Sequence, residues 1–353
     1  MPHRRPSLFL LATAGVLMAL ATVAAQSPPP TATGESAAVV ATIDDEPLSR
    51  TQWRSAMARL PAPPTMTAEQ RLQWEARGLE QLIWERLVVA EARRQSILVD
   101  PQEIDDRLKR LVAAAKRSSL DDFLRATGSD EDQVRRRLTH DLTVERLLQP
   151  RLTDAALRSV FDARRRDFDG SRVRVSHIVL RPETALGDRA ITATIERAET
   201  IRREILRGDS SFADAARRWS AGPSRHRGGD IGFLGRHEPM TEEFSAAVFA
   251  LAKGEVSRPI VTASGIHLAT VTEIEPGRTT FEAARNAVGQ EVAATALKEL
   301  MARLRGRARI TYSPGVPHFP RGDAARGAVV LDEPEVVEPT PPAGGLAPAP
   351  GSG

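Results

Sequence analysis

The hydrophobic period of this chain changes at Arg172, and that change limits the folds open to it. Upstream, apolar residues recur every three or four positions. Leu72, Leu79, Leu82, Ile83 and Leu87 make one stripe; Val134, Leu138, Leu142 and Leu148 make another. Such spacing lines one face of a helix. From Arg172 to Leu180 the pattern alternates instead, with Val173, Val175, His177 and Val179 on one side of a strand. The chain therefore reads as a helical body, residues 39–171, followed by an α+β segment, 172–275.

Helix start signals divide the body. Ser49 with Gln52 and Thr67 with Gln70 have capping-box spacing. Asp100-Pro101-Gln102-Glu103 combines an Asp cap with proline in the first turn. Further helices are expected from Glu131 to Leu148 and near Thr153 to Arg165, with one short strand at Val39–Ile43. In the second segment the predicted order is β-α-α-β-α-β-β. Its closing strands are Val256–Thr262 and Ile266–Ile274. A helix then resumes over Thr280–Arg305, and Arg309–Tyr312 reads as a last strand. Beyond Ser313 the chain is rich in Pro, Gly, Ala and acid, and residues 313–353 are expected to be a disordered tail.

The first 25 residues read as a signal peptide. Arg4 and Arg5 precede the apolar run Leu8–Ala21, and Val23-Ala24-Ala25 is a small-residue cleavage site. Residues 26–38 are then a linker. The mature chain is expected outside the cytoplasm, in the periplasm or an equivalent compartment, touching a membrane only through its signal segment. There is no cysteine, which excludes disulfides, thiolate metal sites and a thiol nucleophile. The net charge of +3 gives no reason to expect nucleic acid, and runs such as Arg135-Arg136-Arg137 read as solvated helix faces. His226 and His237 lie in loops without ligand spacing, so no metal or other cofactor is expected.

Four stretches in the α+β segment share an order and spacing. They are Val175-Ser176-His177-Ile178-Val179, Gly228-Gly229-Asp230-Ile231-Gly232-Phe233, Phe244–Leu251 with Gly254-Glu255-Val256, and Ser264-Gly265-Ile266-His267. Together they resemble the parvulin (PpiC-type) prolyl isomerases. Residues 39–171 more loosely resemble the N-terminal region of SurA-like chaperones, and 276–312 sit where those return to the chaperone body. The resemblance implies an α+β chain in which a mostly helical SurA-like body carries an inserted parvulin domain, a four-stranded antiparallel sheet with surrounding helices. It also implies the partners: unfolded or nascent exported polypeptides containing X–Pro bonds.

Isomerisation breaks no bond. The X–Pro amide must twist against a barrier of about 18–20 kcal/mol, so a catalyst needs an apolar slot for the ring and polar groups that favour the twisted state. The resemblance assigns the polar groups to His177 and His267, with Ser264 beside the second. It assigns the slot to Ile231, Met240 and Phe244. Taken alone, a histidine on an apolar strand face is ordinarily a core residue held by a hydrogen bond. One departure stands out: parvulins usually carry an acid or cysteine just after the loop serine. In Ser220-Ala221-Gly222 that position is Gly222, or Ala221 in the other alignment, and neither supplies a polar side chain.

Overall fold

The computed structural model describes residues 38–340, apart from 59, 61, 63–64, 183–186, 238–239 and 325–326. The expected signal peptide, all but the last residue of the linker and the end of the tail lie outside the described residues. In chain order, β1 (Val39–Ile43) and β2 (Glu46–Ser49) form a hairpin, followed by α1 (Arg50–Met57), α2 (Ala68–Arg94), α3 (Pro101–Ala114), α4 (Leu120–Thr127) and α5 (Glu131–Leu148). Next come α6 (Asp154–Ala163), α7 (Arg165–Phe168), β3 (Arg172–Leu180), α8 (Gly187–Arg207), α9 (Phe212–Trp219), β4 (Asp230–Gly235), α10 (Glu242–Ala250), β5 (Ile260–Thr262) and β6 (Gly265–Glu275). The chain continues through α11 (Phe281–Arg307), β7 (Ile310–Tyr312) and β8 (Glu335–Val337).

The helices begin where the caps predict. Ser49 and Thr67 each complete a reciprocal capping box, and the Asp100 carboxylate accepts from Gln102 N. The predicted strand over Val256–Thr262 is shorter. Pro259 cannot donate to a ladder, so β5 starts at Ile260 and Val256 keeps one isolated bridge, to Thr270.

Two compact units result. One joins the residues up to Arg151 to those from Ala293 onward; the other is Leu152–Val292. In the first, a sheet of order β2-β1-β7-β8 lies with the helices of the body. Glu80 on α2 and Arg305 on α11, both half-buried, form a network with the buried Tyr312 on β7, whose Oη donates to Glu80 at 3.0 Å. Burial pushes the Glu80 carboxyl up, against the lowering effect of Arg305.

The expectation of disorder from Ser313 fails over the described part of the tail. Val316 and Phe319 are buried, His318 pairs with Val329, and β8 extends the sheet. The composition is that of a disordered segment, but Val316, Phe319, Val329 and Val337 give it enough apolar surface to dock.

In the second unit the sheet order is β4-β3-β6-β5, all antiparallel. One face packs Val173, Val175, Ala269 and Val271 against Phe244, Val248 and Phe249 of α10. The other packs Ile178, Leu180, Ile266 and Leu268 against Ala198 and Ile201 of α8 and Ala215 and Ala216 of α9. The unit reaches beyond 172–275. Phe161 of α6 stacks edge-on to Phe281 at 5.8 Å, and Arg166 of α7 donates to Leu251 O at 2.7 Å.

Candidate active site

The α10 face of the sheet holds both histidines. The β3–β6 register pairs His177 with Ala269 and Val179 with His267. The two rings are therefore diagonal neighbours on adjacent strands and point to one side. Their centroids are 5.7 Å apart. Phe244 stands edge-on to both, at 5.9 Å from His177 and 5.3 Å from His267. Ile231 and Met240 are partly buried in the same cluster as Phe244. Of the three expected slot residues, Phe244 stands against the histidine pair, and Ile231 of β4 and Met240 of the loop before α10 pack on the cluster to which Phe244 belongs.

Ser264 lies in the β5–β6 turn, its Oγ 3.1 Å from His267 Nε2. The sequence reading missed Thr262, whose Oγ1 lies 2.9 Å from the same nitrogen and 2.9 Å from Ser264 Oγ. A signal for it was present: a two-residue turn at Ala263-Ser264 sets Thr262 opposite Gly265, next to the His267 strand. Burial lowers the His267 pKa. Burial, followed by the charge of His267, lowers that of His177 to about 4. Both rings are neutral near pH 7, able to donate from one nitrogen and accept at the other. His177 Nδ1 and His267 Nδ1 are buried without a hydrogen-bond partner among the described residues.

The Gly-Gly-Asp stretch has a geometric reason. Gly229 has φ +87°, and its carbonyl accepts from His177 N at 3.0 Å. A Cβ there would fall 2.5 Å from His177 O, so only glycine lets this loop close over β3. Asp230 accepts from Gly232 N and pairs with Arg174, which holds its carboxyl below the usual range.

The loop after α9 identifies the departing position. Ser220, also missed as a structural residue, is buried, and its Oγ accepts from Val179 N at 3.1 Å and Gly222 N at 3.2 Å. Ala221 is exposed and its N donates to Val179 O, whereas Gly222 is buried against the site. A Cβ on Gly222 would lie 3.6 Å from His177 Nε2. Gly222, not Ala221, is the place from which a side chain would reach the histidine. In the loop joining β4 to α10, the buried Arg236 donates to both oxygens of Glu242, at 2.9 and 2.5 Å. No group of three or more His, Asp or Glu among the described residues is placed to hold a metal.

Comparison with known proteins follows the same division of the chain. Residues 177–273 match the family profile of the PPIC-type PPIase domain, and residues 4–148 that of the SurA-like N-terminal domain. The peptidyl-prolyl cis-trans isomerase Pin1 of Malus domestica is 32% identical over 112 residues, which cover 28% of this chain and 92% of that protein. The chain belongs to the PPIC-type peptidyl-prolyl isomerase family. Among longer relatives, the chaperone SurA of Alkalilimnicola ehrlichii is 26% identical over 244 residues, 65% of this chain and 55% of that one. The crystal structure of peptidylprolyl isomerase PrsA from Bacillus anthracis aligns with TM-score 0.36 at 18% identity, over 64% of this chain and 94% of that one. This PPIC-type chain spans 55% of that SurA and 44–54% of the full-length foldase PrsA proteins of Bacillus subtilis and Caldanaerobacter subterraneus.

Proposed function

We propose that this chain is an exported peptidyl-prolyl cis–trans isomerase and chaperone that assists the folding of periplasmic, outer-membrane or secreted proteins. The observation that carries the reading is the packing of two neutral histidines against Phe244, whose apolar cluster Ile231 and Met240 join. The apolar trio takes the proline ring. The histidines lie under the twisting amide, and Ser264 and Thr262 fix the orientation of His267. The twisted amide concentrates charge differently from the planar one, and preorganised uncharged donors favour it without a reorganisation cost. The helical body holds the unfolded client. The apolar run and small-residue cleavage site at the N-terminus support export.

A second reading is a holdase whose parvulin domain binds X–Pro segments with little catalysis. Gly222 favours it, since nothing polar projects from that position toward His177. One assay separates the two: cis-to-trans conversion of an X–Pro peptide by the full chain, beside His177→Ala. A wild-type rate equal to background sinks the enzyme reading. Failure of the full chain to suppress aggregation of an unfolded client sinks the chaperone reading.

A further inference from the structure

The β7 edge of the body's sheet is covered by the chain's own C-terminal segment, and by little of it. Strand β8 has three residues, with Pro334 directly before it and Pro339 two positions after its end, and proline cannot extend a ladder. Its register sets Val337 opposite Ile310, Val336 opposite Thr311 and Glu335 opposite Tyr312. Val337 and Glu335 therefore share the face of the buried Ile310 and Tyr312, while Val336 points away and is 43% exposed.

Polar clamps hold this strand more than apolar burial does. His318 Nε2 lies 2.9 Å from Glu335, and Arg321 N donates to the same carboxylate at 3.0 Å. Arg309 Nε donates to Glu338 at 3.3 Å, and Thr340 N to Gly306 O at 2.7 Å. The buried end of the clamp is fixed: His318 stacks on Tyr312 with centroids 4.2 Å apart, and its Nδ1 lies 2.8 Å from Val316 O. A short, half-exposed, β-branched strand clamped at its ends has the form of a peptide ligand added to a sheet edge.

We infer that the β7 edge is a strand-accepting site for extended, β-branched segments of unfolded proteins, and that Glu335–Val337 is the chain's own occupant of it. The inference rests on the chaperone reading only for the source of the incoming strand. An incoming segment remakes the backbone bonds to Ile310–Tyr312 and sets an apolar side chain opposite Ile310. Between clients the tethered segment, present at an effective concentration in the millimolar range, keeps the edge from pairing with other copies of the chain.

The test uses the full chain and a fluorescent peptide copying residues 331–340. Val337→Asp places a carboxylate opposite Ile310 and loosens the tethered strand. Val336→Asp adds the same charge on the solvent face and serves as the control. In anisotropy titrations Val337→Asp should bind the peptide at least tenfold more tightly than either the wild type or Val336→Asp. Equal binding by all three, or none by a folded Val337→Asp, overturns the inference. Should Val337→Asp not fold, hydrogen exchange on the wild-type chain decides. With saturating peptide, the amides of Glu335 and Val337, which face Tyr312 and Ile310, should lose protection while Ile310 and Tyr312 keep theirs; unchanged protection at Glu335 and Val337 overturns it. The aggregation assay is scored separately, and its failure would remove the chaperone reading while leaving the peptide result standing.

Discussion

Gly222→Asp tests the site most directly. Gly222 has φ −82° and ψ 157°, an extended conformation open to any residue, so the substitution brings no backbone strain. Its new Cβ would sit 3.2 Å from Val179 Cγ2, which needs only a few tenths of an ångström of movement, and 3.6 Å from His177 Nε2. The carboxylate then lies roughly 4 Å from the imidazole. At an effective dielectric near 20, two unit charges at that distance interact by about 4 kcal/mol. Screening by the open side of the site should leave about half, which corresponds to a rise of roughly one to two units in the pKa of His177. If the same carboxylate makes a charged hydrogen bond in the twisted state, it contributes ~1.5–3 kcal/mol, or about one to two decades in kcat/KM. The assay is protease-coupled or NMR-exchange isomerisation of an X–Pro peptide, with His177 titrated by NMR in the same variant. An unmoved His177 titration would refute the geometry. A raised pKa with unchanged kcat/KM would refute the claim that Gly222 limits the rate.

Further predictions concern stability. His177 has a depressed pKa in the fold, about 4 against an ordinary 6.5, so between those values the unfolded chain binds more protons. Its contribution is full above about pH 6.5 and lost as pH falls toward 4, on the order of 3 kcal/mol in all; thermal melts across that window should show the slope, and His177→Gln should flatten it. Gly229→Ala meets His177 O at 2.5 Å at a positive φ and should cost at least about 2–3 kcal/mol, read by urea titration as a lowered midpoint. Phe244→Ala empties a fully buried position and should cost about 3–5 kcal/mol, with weaker binding of proline peptides; tight binding in a folded variant would place the slot elsewhere.

How much was legible depended on what kind of signal each residue leaves. The helices of the body were readable because Ser49, Thr67 and Asp100 satisfy orphan amides locally, and local chemistry is written in adjacent residues. His177 and His267 were readable because the parvulin resemblance marks both positions, while strand alternation alone set only which way each points. Thr262 left only the mark of its two-residue turn, and the loop serine Ser220 no sign of its structural role, since their hydroxyls act on residues brought near by the hairpin and by the loop over β3. The tail failed for the opposite reason. Its composition argues against a core, but docking needs only a few apolar side chains and an edge already built by β1 and β7. The sequence left Gly222, or Ala221 in the other alignment; the structure separates them by the exposure of Ala221, whose N bonds Val179 O, and by the Gly222 Cβ direction toward His177.

The two readings of the parvulin domain share one physical cause. In the holdase reading, a site of neutral histidines, hydroxyls and an apolar slot would bind an X–Pro segment through burial and uncharged hydrogen bonds, with too weak a preference for the twisted amide to raise the rate far. Uniform binding lowers KM without raising kcat. The position able to supply the distinction is Gly222, whose empty Cβ direction faces His177. The same omission spares the site a buried charge that would have to be desolvated whenever a client docks. In that reading the domain trades rate for affinity. Proline peptides should bind the wild type more tightly than Gly222→Asp even where the variant turns over faster. Calorimetric titration of both chains with one X–Pro peptide would show it, and tighter binding by the variant would contradict the trade.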